Sequence, residues 1–107
     1  IPMGVRIGDY LFTSRVLPFS PETGKPGEDA ASQADFVFHN VGATLEAGGM
    51  GWDAVRQGRL FLSDMGGLPS LRERWSSQFG GEARPLHPIH YAVAPSLLVM
   101  LEVIAAV

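Results

Sequence analysis

Two charged residues stand out because of where they fall in the chain. Glu102 interrupts an apolar stretch, with Leu97-Leu98-Val99-Met100-Leu101 before it and Val103-Ile104 after it. An unpaired carboxylate is costly to bury there, and a carboxyl held in such surroundings is a common source of a proton shuttle. The plainer reading is a glutamate near a strand end that pairs with an arginine or faces water, and alone that is the commoner outcome. Arg84 follows Gly80-Gly81-Glu82-Ala83 and opens a strand. Its planar guanidinium could hold a substrate carboxylate through two parallel hydrogen bonds, although a solvated surface arginine is again more usual. If the last two strands are antiparallel neighbours joined by a short turn, Arg84 comes close to residues 100–102 across the ladder. The pair is therefore more informative than either member.

Other chemistries find little support. His87 and His90 are the only close histidines, and residues three apart on a strand face opposite sides, so no metal is expected. With no cysteine there is no disulfide, no thiolate nucleophile and no cysteine metal site. The single lysine, Lys25, lies in a Pro/Gly-rich loop, a poor place for a Schiff base. Gly48-Gly49-Met50-Gly51 follows a helical pattern and lacks the Lys-Ser/Thr ending of a phosphate loop. Ser14, Ser63 and Ser70 have no nucleophile-elbow context.

A net charge of -3, with eight scattered basic residues, offers no field for nucleic acid. Leu97–Leu101 is far shorter than the ~20 apolar residues of a membrane span, so neither nucleic acid nor membrane is an expected partner. The expected compartment is the reducing cytoplasm. The sequence opens at Ile1 without a methionine or a signal-peptide pattern, so a native N-terminus is expected to have been trimmed or left out.

The elements that must position these residues follow from patterning. A length of 107 residues suits one domain, 1–107. Val5–Ile7 and Tyr10–Val16 read as strands around the Gly8-Asp9 turn. Pro18–Glu28 is a loop rich in proline and glycine. Asp29–Ala47 is a helix with Ala34, Phe38, Val41 and Leu45 on one stripe, and acids at its start. Trp52–Asp64 reads as a strand in which Gly58 marks a bulge or a close backbone approach. Leu68–Phe79 is a helix with Pro69 in its first turn and a stripe of Leu68, Leu71, Trp75 and Phe79. Leu86–Val93 and Leu97–Ala106 complete a β-β-α-β-α-β-β order: an α+β chain with a mainly antiparallel sheet and two helices on one face.

The final strand does not alternate, and continuous apolarity implies that both of its faces are covered. Two helices cover one face only, and copies of the same chain are the simplest cover for the other. The composition agrees, with 46% hydrophobic and only 18% charged residues. Oligomerisation is thus expected from pattern alone.

These pieces, in order, resemble the reactive-intermediate deaminase family (Rid, YjgF-like, formerly labelled endoribonuclease L-PSP). The matching residues are Gly8-Asp-Tyr-Leu-Phe-Thr-Ser14, Pro21-Glu-Thr-Gly24, Gln33, Asn40, Leu45 and Gly48 or Gly49. They continue with Val55, Phe61-Leu62-Ser63-Asp64, Ala83-Arg84-Pro85 and Leu101-Glu102-Val103-Ile104-Ala105. They span nearly the whole chain, and their order and spacing carry the likeness.

The resemblance implies a chorismate-mutase-like homotrimer with ligand clefts between subunits. It also implies a cofactor-independent, metal-free imine/enamine deaminase acting on a small carboxylate such as 2-aminoacrylate, 2-iminopropionate or an aminomuconate. In it Arg84 grips the carboxylate, while Glu102 and the backbone carbonyl of Leu86 position water, and Ser14 lines the cleft. The aromatic residue often found upstream in the family is not evident in Ile1–Ile7, and three further positions depart from the pattern. Leu86 stands where cysteine is usual. Arg15 replaces a glycine and puts a bulky charge near the cleft. Ungapped counting from Arg84 places Met100 at the family's glutamate position, whereas a slip of one or two residues places Glu102 there. The alternative is a trimer that binds a carboxylate metabolite without turning it over.

Overall fold

The computed structural model describes residues 3–92 and 94–107; Ile1 and the expected strand end at Val93 lie outside them. The first strands, β1 (Gly4–Ile7) and β2 (Tyr10–Thr13), pair antiparallel with Val5 opposite Phe12 and Ile7 opposite Tyr10. Gly8 makes the turn at φ +59°, a conformation open mainly to glycine. β2 is shorter than the sequence suggests: after Thr13 the pairing breaks and resumes only as a bridge between Val16 and Leu101.

Helix α1 (Ala30–Ala47) begins at a capping box. The Asp29 carboxylate accepts from the Ser32 N–H at 2.8 Å, and the Ser32 hydroxyl accepts from the Asp29 N–H at 3.2 Å. Ala34, Phe38, Val41 and Leu45 are all buried, as the spacing requires. Trp52–Ala54 is a short 3-10 turn rather than the start of a strand, and β3 runs Val55–Leu62. Helix α2 (Leu68–Ser77) stops before Phe79, which still packs beside Trp52 and Trp75. β4 (Leu86–His90) and β5 (Val99–Ala106) complete the sheet.

The strand order is β1-β2-β5-β3-β4. This corrects the expectation that β4 and β5 are neighbours. β4 pairs parallel with β3, Gly58 lying opposite Leu86, while β5 pairs antiparallel with both β2 and β3. The physical reason is a β3-α2-β4 crossover: a helix returns the chain in the same direction. The most apolar strand, β5, is thereby placed at the centre and β4 at the edge. Pro88 fits an edge strand. The bonds Gly58 N–H to Pro85 O and Tyr91 N–H to Leu62 O fix the phase of the ladder, and that phase turns the missing N–H of Pro88 away from β3.

Alternation sorts β5 by face. Val99, Leu101, Val103 and Ala105 join the core under the helices, leaving Met100, Glu102, Ile104 and Ala106 on the open side. Gly58 explains itself here, since a Cβ on it would lie 2.6 Å from the Trp75 ring. A bulge also falls nearby, between Val55 and Gln57. Met100 is only 2% exposed on the open side, so its cover comes from this chain. Exposed large apolar side chains on that side include Val5, Ile7, Tyr10, Phe12 and Tyr91. No helix among the described residues is long and apolar enough to cross a membrane.

Candidate functional site

Arg84 ends the loop that carries the chain from α2 into β4. Gly80 and Gly81 turn it at φ +56° and +94°. Its Nε donates to the Val55 carbonyl at 2.8 Å and its Nη1 lies 2.8 Å from the Glu82 carboxylate. The guanidinium sits 5.2 Å from the Phe79 ring centroid, and the Trp75 indole donates to the Arg84 carbonyl at 2.9 Å. The side chain is thus anchored at the rim of the helical layer and only 15% exposed. Leu86, two residues on, packs its side chain against the core. Because the Pro85 carbonyl takes the bond from Gly58, the Leu86 carbonyl points away from β3, into the free edge.

Glu102 lies elsewhere. It projects from the open side of β5 opposite Arg59, whose guanidinium is 3.7 Å from its carboxylate. With 26% exposure it is neither buried nor unpaired, in line with the plainer reading of a glutamate that pairs with an arginine. β3 lies between β5, which bears Glu102, and β4, which Arg84 precedes, so those strands are separated by roughly 10 Å; Arg84 packs on Phe79 on the helical side while Glu102 projects from the open side. One chain does not bring them together. The short-turn ladder that would have joined them is replaced by the crossover. Glu102 instead lines a hollow of about 250 Å³ with Phe12, Thr13, Gln57 and Ile104.

Met100 and Arg15 form a second group on the open side. Met100 pairs with Phe61. The Arg15 guanidinium carbon stands 4.2 Å from the Phe61 centroid and 4.8 Å from that of Tyr91, and these rings meet edge to face at 6.1 Å. Met100 is 2% exposed within the single chain. Ser14 points away: its hydroxyl donates to the Met3 carbonyl at 3.1 Å, within an apolar groove of about 960 Å³ between the β1–β2 hairpin and α1.

Sequence reasoning missed Arg59, Phe61 and Tyr91 as members of the site. Arg59 was legible in principle, since alternation from Leu60 and an antiparallel β3–β5 pair set it beside Glu102. Tyr91 was not, because its place depends on the crossover. Among the described residues no group of three or more His, Asp or Glu side chains is placed to hold a metal ion. His90 Nε2 instead meets the Ser63 carbonyl at 2.9 Å.

A sheet of this order with two helices on one side defines the class of protein, and comparison with known proteins specifies it. The family model described as endoribonuclease L-PSP matches residues 2–107, and the chain belongs to that family, the reactive-intermediate deaminase (Rid, YjgF-like) family. A relative from Escherichia coli K12, named putative reactive intermediate deaminase TdcF, is 30% identical over 84% of this chain and 69% of its own. A RutC family protein of Pyrococcus abyssi is 29% identical over 76% of this chain, and the match spans 64% of that relative's length. A Salmonella typhimurium protein named 2-iminobutanoate/2-iminopropanoate deaminase is 29% identical over 71% of this chain and 59% of its own. Among solved structures, RidA from an Antarctic Psychrobacter superposes with a TM-score of 0.90 at 26% identity, covering 98% of this chain and 86% of that one. E. coli TdcF with bound serine superposes at 0.87 with 24% identity, over 98% and 86% of the two chains.

Proposed function

We propose that this protein hydrolyses a small carboxylate-bearing imine or enamine to a 2-keto acid and ammonia, in a cleft shared between copies of the chain. The observation that carries the reading is Arg84. It is a guanidinium braced by Val55 and Phe79 at the sheet edge, next to an outward-directed Leu86 carbonyl. The names of the relatives supply the reaction class. Arg84 holds the substrate carboxylate and the Leu86 carbonyl accepts a hydrogen bond from the attacking water. Glu102, contributed by the open face of a neighbouring copy, takes a proton from the water as its oxygen bonds to the imine carbon, and passes that proton to nitrogen. It then relays the hydroxyl proton of the resulting carbinolamine to nitrogen as the carbon–nitrogen bond breaks, leaving the keto acid and ammonia. Such imines also hydrolyse unaided, so positioning and charge stabilisation are sufficient sources of acceleration. Because one chain separates Arg84 from Glu102, the reading requires an assembly, and a homotrimer is the expected one.

The test is keto-acid release from freshly generated 2-iminopropionate. Acceleration by the wild type and its loss in Arg84→Ala support the reading; equal rates for the two overturn it.

A second reading has its own observation. The carboxylate of Glu102 is engaged by Arg59, Met100 carries no charge, and the Arg15 guanidinium lies over Phe61, so among the described residues the open face presents cations and no free acid. On this reading the assembly binds a small carboxylate without turnover. Thermal stabilisation by pyruvate with no hydrolysis of the imine selects it.

A further inference from the structure

The contacts that hold Arg84 differ in how easily they are given up. Its Nε donates to the Val55 carbonyl at 2.8 Å, and its guanidinium carbon stands 5.2 Å from the Phe79 ring centroid. Val55 and Phe79 are both buried, so these two contacts fix the guanidinium in place. The remaining charged contact is the Glu82 carboxylate, 2.8 Å from Nη1. There the two side chains differ sharply, that of Arg84 being 15% exposed and that of Glu82 71%. The Glu82 backbone is tied, because its N–H donates to the Phe79 carbonyl at 3.0 Å and closes the turn made by Gly80 and Gly81. Rotation of one exposed side chain is therefore enough to separate the pair, with the loop and the guanidinium left where they are.

A guanidinium takes a carboxylate through two parallel bonds along one of two edges: Nε with one Nη, or the two Nη together. The Val55 carbonyl closes the first edge. The second includes Nη1, beside which Glu82 already stands. A ligand carboxylate brought to that edge meets a like charge a few ångströms away unless Glu82 withdraws.

We infer that Glu82 is a displaceable internal competitor for the carboxylate site on Arg84, and so lowers the affinity of that site for anions. The inference rests on the reading of Arg84 as the carboxylate clamp, and adds to it a residue that opposes the clamp. An exposed ion pair is weak enough for a small ligand to replace. Glu82 has no part in the bond-making steps; it sets specificity by acting through Arg84.

The experiment is calorimetric titration with pyruvate of the wild type, Glu82→Gln and Arg84→Ala, joined by the kinetics of 2-iminopropionate hydrolysis. Glutamine keeps the length and the acceptor oxygen of the side chain and removes its charge. The expected result in Glu82→Gln is pyruvate binding tightened by about three- to fivefold. KM is expected to fall by a similar factor, with kcat changed less than about 1.5-fold. The sign separates the two roles open to Glu82, since loss of a residue that merely braced Arg84 weakens binding and raises KM. Unchanged or weaker pyruvate binding in Glu82→Gln, with binding abolished in Arg84→Ala, overturns the inference and leaves the clamp standing. Binding that survives Arg84→Ala undiminished overturns the clamp and the inference together, as does pyruvate bound by neither the wild type nor Glu82→Gln.

Discussion

The indole Nε1 of Trp75 donates to the main-chain carbonyl of Arg84 at 2.9 Å. The residue that anchors the helical layer thereby fixes the backbone from which the candidate carboxylate clamp projects. Trp75 is 3% exposed and meets Trp52 and Phe79 edge to face. Trp75→Phe keeps most of the apolar contact and removes the donor. A lost hydrogen bond of this kind costs about 1 kcal/mol, more where the acceptor is left unpaired. We expect urea unfolding to show a loss of about 1–3 kcal/mol. A rise in KM of several-fold with a smaller change in kcat is also expected, because Arg84 is the proposed carboxylate clamp. Unchanged KM in a folded variant separates Trp75 from the site.

Gly58 is the point at which the sheet comes nearest to that same indole. A Cβ there would stand 2.6 Å from Trp75 Cη2 and 3.3 Å from the Glu102 carbonyl. The ring is wedged among aromatic neighbours, so the methyl has no soft side chain to displace. Gly58→Ala is expected to destabilise by about 1–3 kcal/mol through overpacking, even though alanine suits a strand better than glycine. A denaturation midpoint equal to the wild type refutes the close contact.

The α1 cap gives the chain a pH-sensitive element. The Ser32 backbone N–H and hydroxyl bonding to Asp29 hold its carboxyl below the ordinary range. A carboxyl with a depressed folded-state pKa contributes stability above its unfolded value, about 3.9. That contribution is lost as pH falls through the lower folded value. Asp29→Ala should therefore lower Tm at neutral pH and flatten the part of the acid-side decline that Asp29 causes. Parallel Tm-versus-pH curves for the two proteins below about pH 5 would remove the cap from the account.

Patterning shows the elements well but their order in space only in part. Ala34, Phe38, Val41 and Leu45 announced α1, and the continuous apolar run at Val99–Leu101 announced a strand covered on both sides. On the open side Met100 is already buried within the single chain, which a hydrophobicity pattern does not distinguish from cover by a second copy. Arg84 and Glu102 stand out singly in the sequence, but their relationship depends on whether β4 sits beside β5 or beside β3. That choice is made by the crossover through α2, a long-range matter that no local residue records. Pro88 was the one hint that β4 is an edge.

The open face supplies the last expectation. Ile7 is 63% exposed and Tyr10, its cross-strand partner, 54%, with Val5 at 55% beside Phe12 at 38%. Four large apolar side chains on one small sheet face are more than isolated surface hydrophobics usually amount to, and the proposed cleft needs a second copy to supply Glu102 opposite Arg84. Light scattering on the wild type is expected to give the mass of three chains. Ile7→Glu sets a carboxylate in the middle of that patch. Since Ile7 is exposed in the isolated chain, the substitution should change the stability of a single chain by no more than about 0.5 kcal/mol. A buried unpaired charge between copies costs several times that. The variant should therefore fall to the mass of one chain, keep its circular dichroism, and lose imine hydrolysis together with the assembly. A wild type that runs as a monomer, or an Ile7→Glu variant that remains trimeric and active, removes the shared cleft and with it the role proposed for Arg84.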